Sequence, residues 1–306
     1  LNLLDASTMN RRDAMTLTAA AGLTPGLLSA NTPDPGSLRQ SIVAWCWRSF
    51  GPKWSLEQVC QAARDSGCQS VELVTPDEWQ TLKKYGLVCA IATNNTGWAK
   101  GFNNPAIIDE VRSLTTKAIE DASKEGIGSV IGFVGSKYIK PGDPNSGVIA
   151  KDEGYKHCVK TLKEMAKVAE KHKVTLCIEH LNSRDDSHPM KGHPEYMGDN
   201  LDEVVNLIKE VGSPRIKILF DIYHVQIMHG DLIRRIKQLG DLIGHVHTAG
   251  NPGRCELDPN QEIQYKPVIQ ALWNSGYRGF IGHEFLPTKD ALGGLIQAVT
   301  TCAISG

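Results

Sequence analysis

Ile216-Lys-Ile-Leu-Phe-Asp221 is almost continuously apolar and ends on an acid. A strand with one wet face would alternate apolar and polar residues, so this run reads as a strand covered by helices on both sides. Seven other runs share its character. Ser41-Ile-Val-Ala-Trp-Cys46, Ser70-Val-Glu-Leu-Val74, Leu87-Val-Cys-Ala-Ile-Ala92, Ser129-Val-Ile-Gly-Phe-Val134 and Val174-Thr-Leu-Cys-Ile-Glu179 precede it. Ile243-Gly-His-Val-His247 and Gly279-Phe-Ile-Gly-His-Glu284 follow it. The segments between them carry helix punctuation. Ser55 is placed to cap a helix that Gly67 stops, and Thr75-Pro-Asp-Glu78 has a cap, a first-turn proline and an acid three residues on. Residues 155–171 put Leu162, Met165 and Val168 on one face. Asn200 opens a helix closing at Gly212, and Gly230-Asp-Leu232 opens the next. Eight strands alternating with helices is the count that closes a parallel barrel. The predicted fold class is α/β, a (β/α)8 TIM barrel forming a single domain over residues 38–306. An open dinucleotide-binding sheet would want G-x-G-x-x-G after its first strand; here that strand runs into Trp47-Arg-Ser-Phe-Gly-Pro52.

Composition narrows the function. The 306 residues carry 33 Lys plus Arg against 34 Asp plus Glu, a net charge of -1. A general nucleic-acid or anionic-membrane binder would need a basic excess, so no nucleic-acid partner is expected. At 41% hydrophobic and 22% charged the chain is globular rather than disordered. No run reaches the ~18 apolar residues of a spanning helix. The eight cysteines are scattered without a C-x-x-C, which fits neither a zinc ribbon nor a small disulfide scaffold. Residues 1–37 stand apart. Arg11 and Arg12 precede a small, mildly apolar stretch that resembles a twin-arginine export signal, and Asn31-Thr-Pro-Asp-Pro-Gly-Ser37 reads as a linker. The expected location is periplasmic or exported, or cytoplasmic if this segment is only a basic tail.

The chemistry lies at strand ends. In a barrel the carboxyl ends of the strands form the active-site mouth, and the last four runs end in Glu179, Asp221, His247 and Glu284. Three carboxylates and an imidazole on one mouth suit a divalent cation with mixed oxygen and nitrogen ligands: Mn²⁺, Mg²⁺ or Co²⁺, with Zn²⁺ also admissible. Any one of these residues could simply cap its strand; four successive strands ending this way argue for a site. Glu72 reads as an acid of the core network rather than a ligand. His180, His245 and His283 read as alternating with the ligands along their strands, so most of them are expected to point away from the mouth. His188 and His193 lie in a loop, residues 182–200, that could cover a substrate. Trp45, Trp47, Trp54 and Trp98 either line a sugar-facing wall or pack between helices.

Several motifs resemble one family. Phe220-Asp-Ile-Tyr-His-Val-Gln226, Gly244-His-Val-His-Thr-Ala-Gly-Asn-Pro-Gly-Arg254, Gly282-His-Glu-Phe-Leu-Pro287 and Cys177-Ile-Glu-His-Leu-Asn182 are similar to those of the hydroxypyruvate isomerase group. That group belongs to the xylose-isomerase-like barrels, with sugar-phosphate isomerases and ketose 3-epimerases. The resemblance covers residues ~40 to 300. It implies a divalent metal held by Glu179, Asp221, His247 and Glu284. Glu179 and Glu284 would also be the catalytic acid-base pair, on opposite sides of the substrate. His224 and Arg254 would bind substrate oxygens or a carboxylate. His247 departs from the Gln usual in hydroxypyruvate isomerases and matches the ketose epimerases. The implied activity is isomerisation of a small hydroxycarbonyl compound through an enediolate. Ketose 3-epimerase or keto-sugar isomerase is the alternative. An exported, non-catalytic sugar-binding protein should have lost members of the metal set, and none is missing. Endonuclease IV shares the barrel but would need a larger zinc cluster and a basic surface. The expected partner is a small hydroxycarbonyl or sugar substrate, and a homo-oligomer stays open.

Overall fold

The computed structural model describes residues 37–187 and 189–304. The export-like segment, most of the linker and His188 therefore lie outside the described residues. Seven strands form one sheet: β1 Arg39–Val43, β2 Ser70–Glu72, β3 Ser129–Phe133, β4 Thr175–Glu179, β5 Ile216–Asp221, β6 Ile243–Thr248 and β7 Phe280–His283. All pair in parallel, in the order β2-β1-β7-β6-β5-β4-β3. The eighth stave is residues 87–92, which touch the sheet as isolated bridges, Ser70↔Val88 and Ala92↔Val130. Val88 N–H donates to Gln69 O at 3.1 Å and Ile131 N–H to Ala92 O at 3.0 Å. These bonds join β2 to β3, and the ring closes as the eight runs predict.

The first run differs from expectation. β1 stops at Val43, and Ala44–Ser49 turns at once into a short helix that buries Ala44, Cys46 and Trp47. The apolar residues that lengthen the run in sequence belong to this helix's inner face. Elsewhere the punctuation works as read. Ser55 accepts the Gln58 N–H while the Gln58 side chain accepts the Ser55 N–H, a reciprocal cap on Leu56–Ser66, and Gly67 ends it at φ +87°. Asn200 accepts from the N–H groups of Asp202 and Glu203 at the start of Leu201–Val211. Leu162 and Met165 face the core from Lys151–His172. All eight cysteines are free thiols. Among the described residues no helix is long and apolar enough to cross a membrane.

The strands that matter for function are the contiguous four, β4 to β7. A register shift between Ile218 and Leu219 takes up one residue, Gly244, and brings Asp221 opposite His247. His247 in turn lies opposite Gly282.

Candidate active site

Glu179, Asp221, His247 and Glu284 come together at the carboxyl ends of β4 to β7. One ligand-capable atom from each lies within 4.8 Å of all the others, and all four residues are buried. His247 Nδ1 is the hub, 3.1 Å from Glu284 Oε2 and 3.4 Å from Glu179 Oε1. The two glutamates thus converge on one ring nitrogen. Asp221 is divided in function. Its Oδ1 accepts the N–H groups of Tyr223 at 2.8 Å and His224 at 3.2 Å, capping Ile222–Met228 and fixing the carboxylate. Its Oδ2 has no hydrogen-bond partner, nor has Glu179 Oε1 or His247 Nδ1.

Buried polar atoms are normally satisfied, so three convergent orphans from the same cluster are informative. The electrostatics agree. Burial pushes the Asp221 carboxyl up to about 7, with the charge of Glu284 adding to it. Burial raises Glu179 too, although His247 opposes the shift. Glu284 goes the other way: burial would raise it, but Arg254 and His247 hold it well below the carboxylate range. Burial would lower His247, yet Glu284, Glu179 and Glu72 hold it well above its ordinary value. Arg254 and the imidazole accompany Glu284, which leaves Glu179 and Asp221 buried with raised carboxyls and no cation of their own beyond the shared imidazole. The donor set is three oxygens and one nitrogen, of which Glu179 Oε1, Asp221 Oδ2 and His247 Nδ1 are unpartnered, and it fits a divalent ion.

The flanking residues are less evenly predicted. Glu72 is fully buried, and its Oε1 accepts from both His245 Nε2 and His247 Nε2 at 2.9 Å. Burial would raise its carboxyl, but the two imidazoles hold it at about 2. His245 therefore does not point away from the interior. It stands two residues from His247 on one strand, and side chains at i and i+2 share a face. His180 and His283, one residue from their ligands, do turn elsewhere. His180 Nε2 donates to Asp199 O at 2.9 Å, and His283 lies between Thr248 and Gln40.

His224 is held by Asn182, whose backbone N–H (3.1 Å) and side-chain amide (2.6 Å) both donate to Nδ1. Burial and Arg254 push the imidazole well below its usual value, so it is neutral. Its proton then sits on Nε2, which is unpartnered and 3.7 Å from Asp221 Oδ2. It is a donor aimed at the cluster. Arg254 is buried, at φ +54°, with NH2 donating to Glu284 Oε2 at 2.7 Å and NH1 to Met190 O at 2.5 Å. This second bond ties residues 182–200 to the mouth, as does Tyr223 OH donating to Lys191 O at 2.9 Å. The tryptophans divide. Trp45 Nε1 donates to Glu284 Oε1 at 2.9 Å, a contact with no signal in the sequence, and Trp98 packs on His193 at 4.6 Å. Trp47 meets Phe285 edge-on in the core, where Trp54 also packs.

The sequence pattern of the xylose isomerase-like TIM barrel matches residues 60–299, which include every residue of the cluster. The chain belongs to that family. The 2-oxo-tetronate isomerase of Cupriavidus necator is 30% identical over 255 residues, covering 78% of this chain and 90% of that protein. The hydroxypyruvate isomerase of Escherichia coli is 34% identical over 137 residues, 45% of this chain and 50% of that protein. The matched segment spans only about half the length of that second relative. The crystal structure of a D-psicose 3-epimerase in the presence of D-fructose shares the fold, with a TM-score of 0.63 at 19% identity over 85% of this chain and 90% of that one. The expectation of an isomerase agrees with the names that these xylose isomerase-like relatives carry.

Proposed function

We propose that this barrel is a divalent-metal-dependent isomerase of a small hydroxycarbonyl compound, with Glu179, Asp221, His247 and Glu284 as the ligands. The observation that carries this reading is the convergence of three buried carboxylates and one imidazole, with Glu179 Oε1, Asp221 Oδ2 and His247 Nδ1 lacking hydrogen-bond partners. When bound, a divalent ion supplies Lewis-acid stabilisation of negative charge on adjacent substrate oxygens. The chain's own residues handle the proton. Glu179 and Glu284 reach the mouth from β4 and from the end of β7; one takes a proton from carbon and the other returns it to the neighbouring carbon through an enediolate. Trp45 and Arg254 fix the orientation of Glu284. His224 Nε2–H is the donor for a substrate oxygen.

A second reading, ketose 3-epimerase or keto-sugar isomerase, is favoured by the state of Arg254. Both of its terminal nitrogens are engaged, by Glu284 and by Met190 O, which leaves only Nε without a partner. A substrate carboxylate would compete with Glu284 for the guanidinium charge, whereas an uncharged sugar would not. The deciding experiment strips the protein with chelator and assays hydroxypyruvate, 2-oxo-tetronate, ketopentoses and ketohexoses with Mn²⁺, Mg²⁺ or Co²⁺ restored. Turnover should vanish on stripping and return with metal. Full turnover by the stripped protein would overturn the metal role, and sugar binding without turnover would favour a non-catalytic protein.

A further inference from the structure

Glu72 has a place in this site that its distance in sequence conceals. Its carboxylate comes from β2, while His247 is on β6, with β1 and β7 between them in the sheet. The contact crosses in front of β7 at Gly282, the residue opposite His247. A Cβ at 282 would stand 2.3 Å from Glu72 Oε1 and 2.8 Å from His247 Cδ2. Only a residue with no side chain leaves this passage open. At its end, Oε1 meets His247 Nε2 and His245 Nε2 at 2.9 Å each, in a region where all three side chains are almost wholly buried.

We infer that Glu72 is a positioning residue that turns His247 so that Nδ1, not Nε2, faces the carboxylate cluster, with Gly282 providing the room. A neutral imidazole has one protonated and one free nitrogen, and the group accepting from the first determines which lone pair is offered. A carboxylate accepting at Nε2 keeps the proton there. It also blocks the ring flip that would bring Nε2 to the mouth. His245 donates to the same oxygen and so holds the carboxylate from a second side. The same three residues could in principle hold an ion of their own. However, His247 would then have to give up both ring protons to bridge two ions, whereas both Nε2···Oε1 contacts already have hydrogen-bond lengths.

The inference rests on the metal reading above, and the test separates the two. Zn²⁺ alone is titrated calorimetrically into the full chain and into Glu72→Gln and Gly282→Ala. Thr115→Val, a buried change on helix Ile108–Glu125, serves as the control. Glu72→Gln should raise the Zn²⁺ dissociation constant roughly 10- to 100-fold, and Gly282→Ala should move it the same way with Glu72 intact. Thr115→Val should leave it unchanged. In the Zn²⁺-loaded wild type, ¹⁵N spectra should show His247 protonated at Nε2 and coordinated through Nδ1. The Nε2–H resonance should move upfield in Glu72→Gln, where the acceptor is neutral. If the wild type takes up no Zn²⁺, the metal reading falls and the positioning role falls with it. If the wild type binds but both variants bind equally well, or if Nε2 proves to be the coordinating nitrogen, the positioning role alone is wrong. Should Glu72→Gln fail to fold, the coordinating nitrogen of His247 in the wild-type ¹⁵N spectrum decides the matter: Nδ1 upholds the positioning role and Nε2 overturns it.

Discussion

Replacing Arg254 with Met removes a buried cation while keeping an unbranched apolar stem, and exposes what the charge does for Glu284. The guanidinium NH2 lies 2.7 Å from Glu284 Oε2, and both side chains are almost fully buried. At an effective dielectric constant of about 20 that separation corresponds to an attraction of about 6 kcal/mol. Each ion has lost water to reach this position, so the pair's net worth is smaller. Removing one partner strands the other, which typically costs about 3–5 kcal/mol. Arg254→Met should lose about that much in urea unfolding at pH 7, compared with metal-free wild type. The pH dependence has a definite sign. The Glu284 carboxyl is held well below its usual range, by Arg254 first and His247 next, against the effect of burial. Its contribution is complete above the unfolded value of about 4.3 and is lost as pH falls towards the folded value. The gap between wild type and variant should therefore be widest near neutrality and shrink below about pH 4.3. A loss under about 1 kcal/mol, the scale of an exposed pair, or a gap that stays constant from pH 7 to pH 3, would refute the reasoning.

Other changes probe separate parts of the reading. Asp221→Asn keeps an oxygen to cap Ile222–Met228, so stability should fall little, while divalent-metal affinity measured by titration should drop at least tenfold. Glu284→Gln preserves shape and removes a base; kcat should fall by about 10²–10⁴, with KM changed far less. A variant turning over at the wild-type rate would exclude a two-carboxylate mechanism. Replacing Arg11 and Arg12 together with Lys should retain the protein in the cytoplasm on cell fractionation, whereas unchanged distribution would reduce this segment to an ordinary tail.

What the sequence reveals and what it hides follow from the range of the interactions. Ile216–Asp221 is readable because burial on both faces leaves a continuous apolar run, and β5 occupies those six residues without adjustment. Ser41 to Cys46 looks the same yet divides after Val43, because a buried helix face and a buried strand are equally apolar over so few residues. The four strand-end residues stand out because each follows such a run. By contrast, the bond from Trp45 to Glu284 spans 239 positions and that from Glu72 to His247 spans 175. Nothing local marks either pair. The orientation of His245 was available from strand parity, which places it on the same face as His247. The engagement of Arg254 by Met190 was not, since it depends on the path of a loop rich in turns.

The unequal joinery of the ring has a mechanical consequence. β4 to β7, which present all four members of the cluster, are consecutive and joined by ladders, with one register shift between β5 and β6. On the other side, residues 87–92 reach β2 and β3 through isolated bridges and a few backbone hydrogen bonds, with no continuous ladder. Local opening starts where backbone hydrogen bonds are sparse, so this seam is where the barrel yields first. The ligand-bearing arc can then keep its ångström-scale spacing while the opposite wall breathes. Compliance is confined to the half of the cylinder that holds none of the cluster, and rigidity to the half where a displaced oxygen would matter.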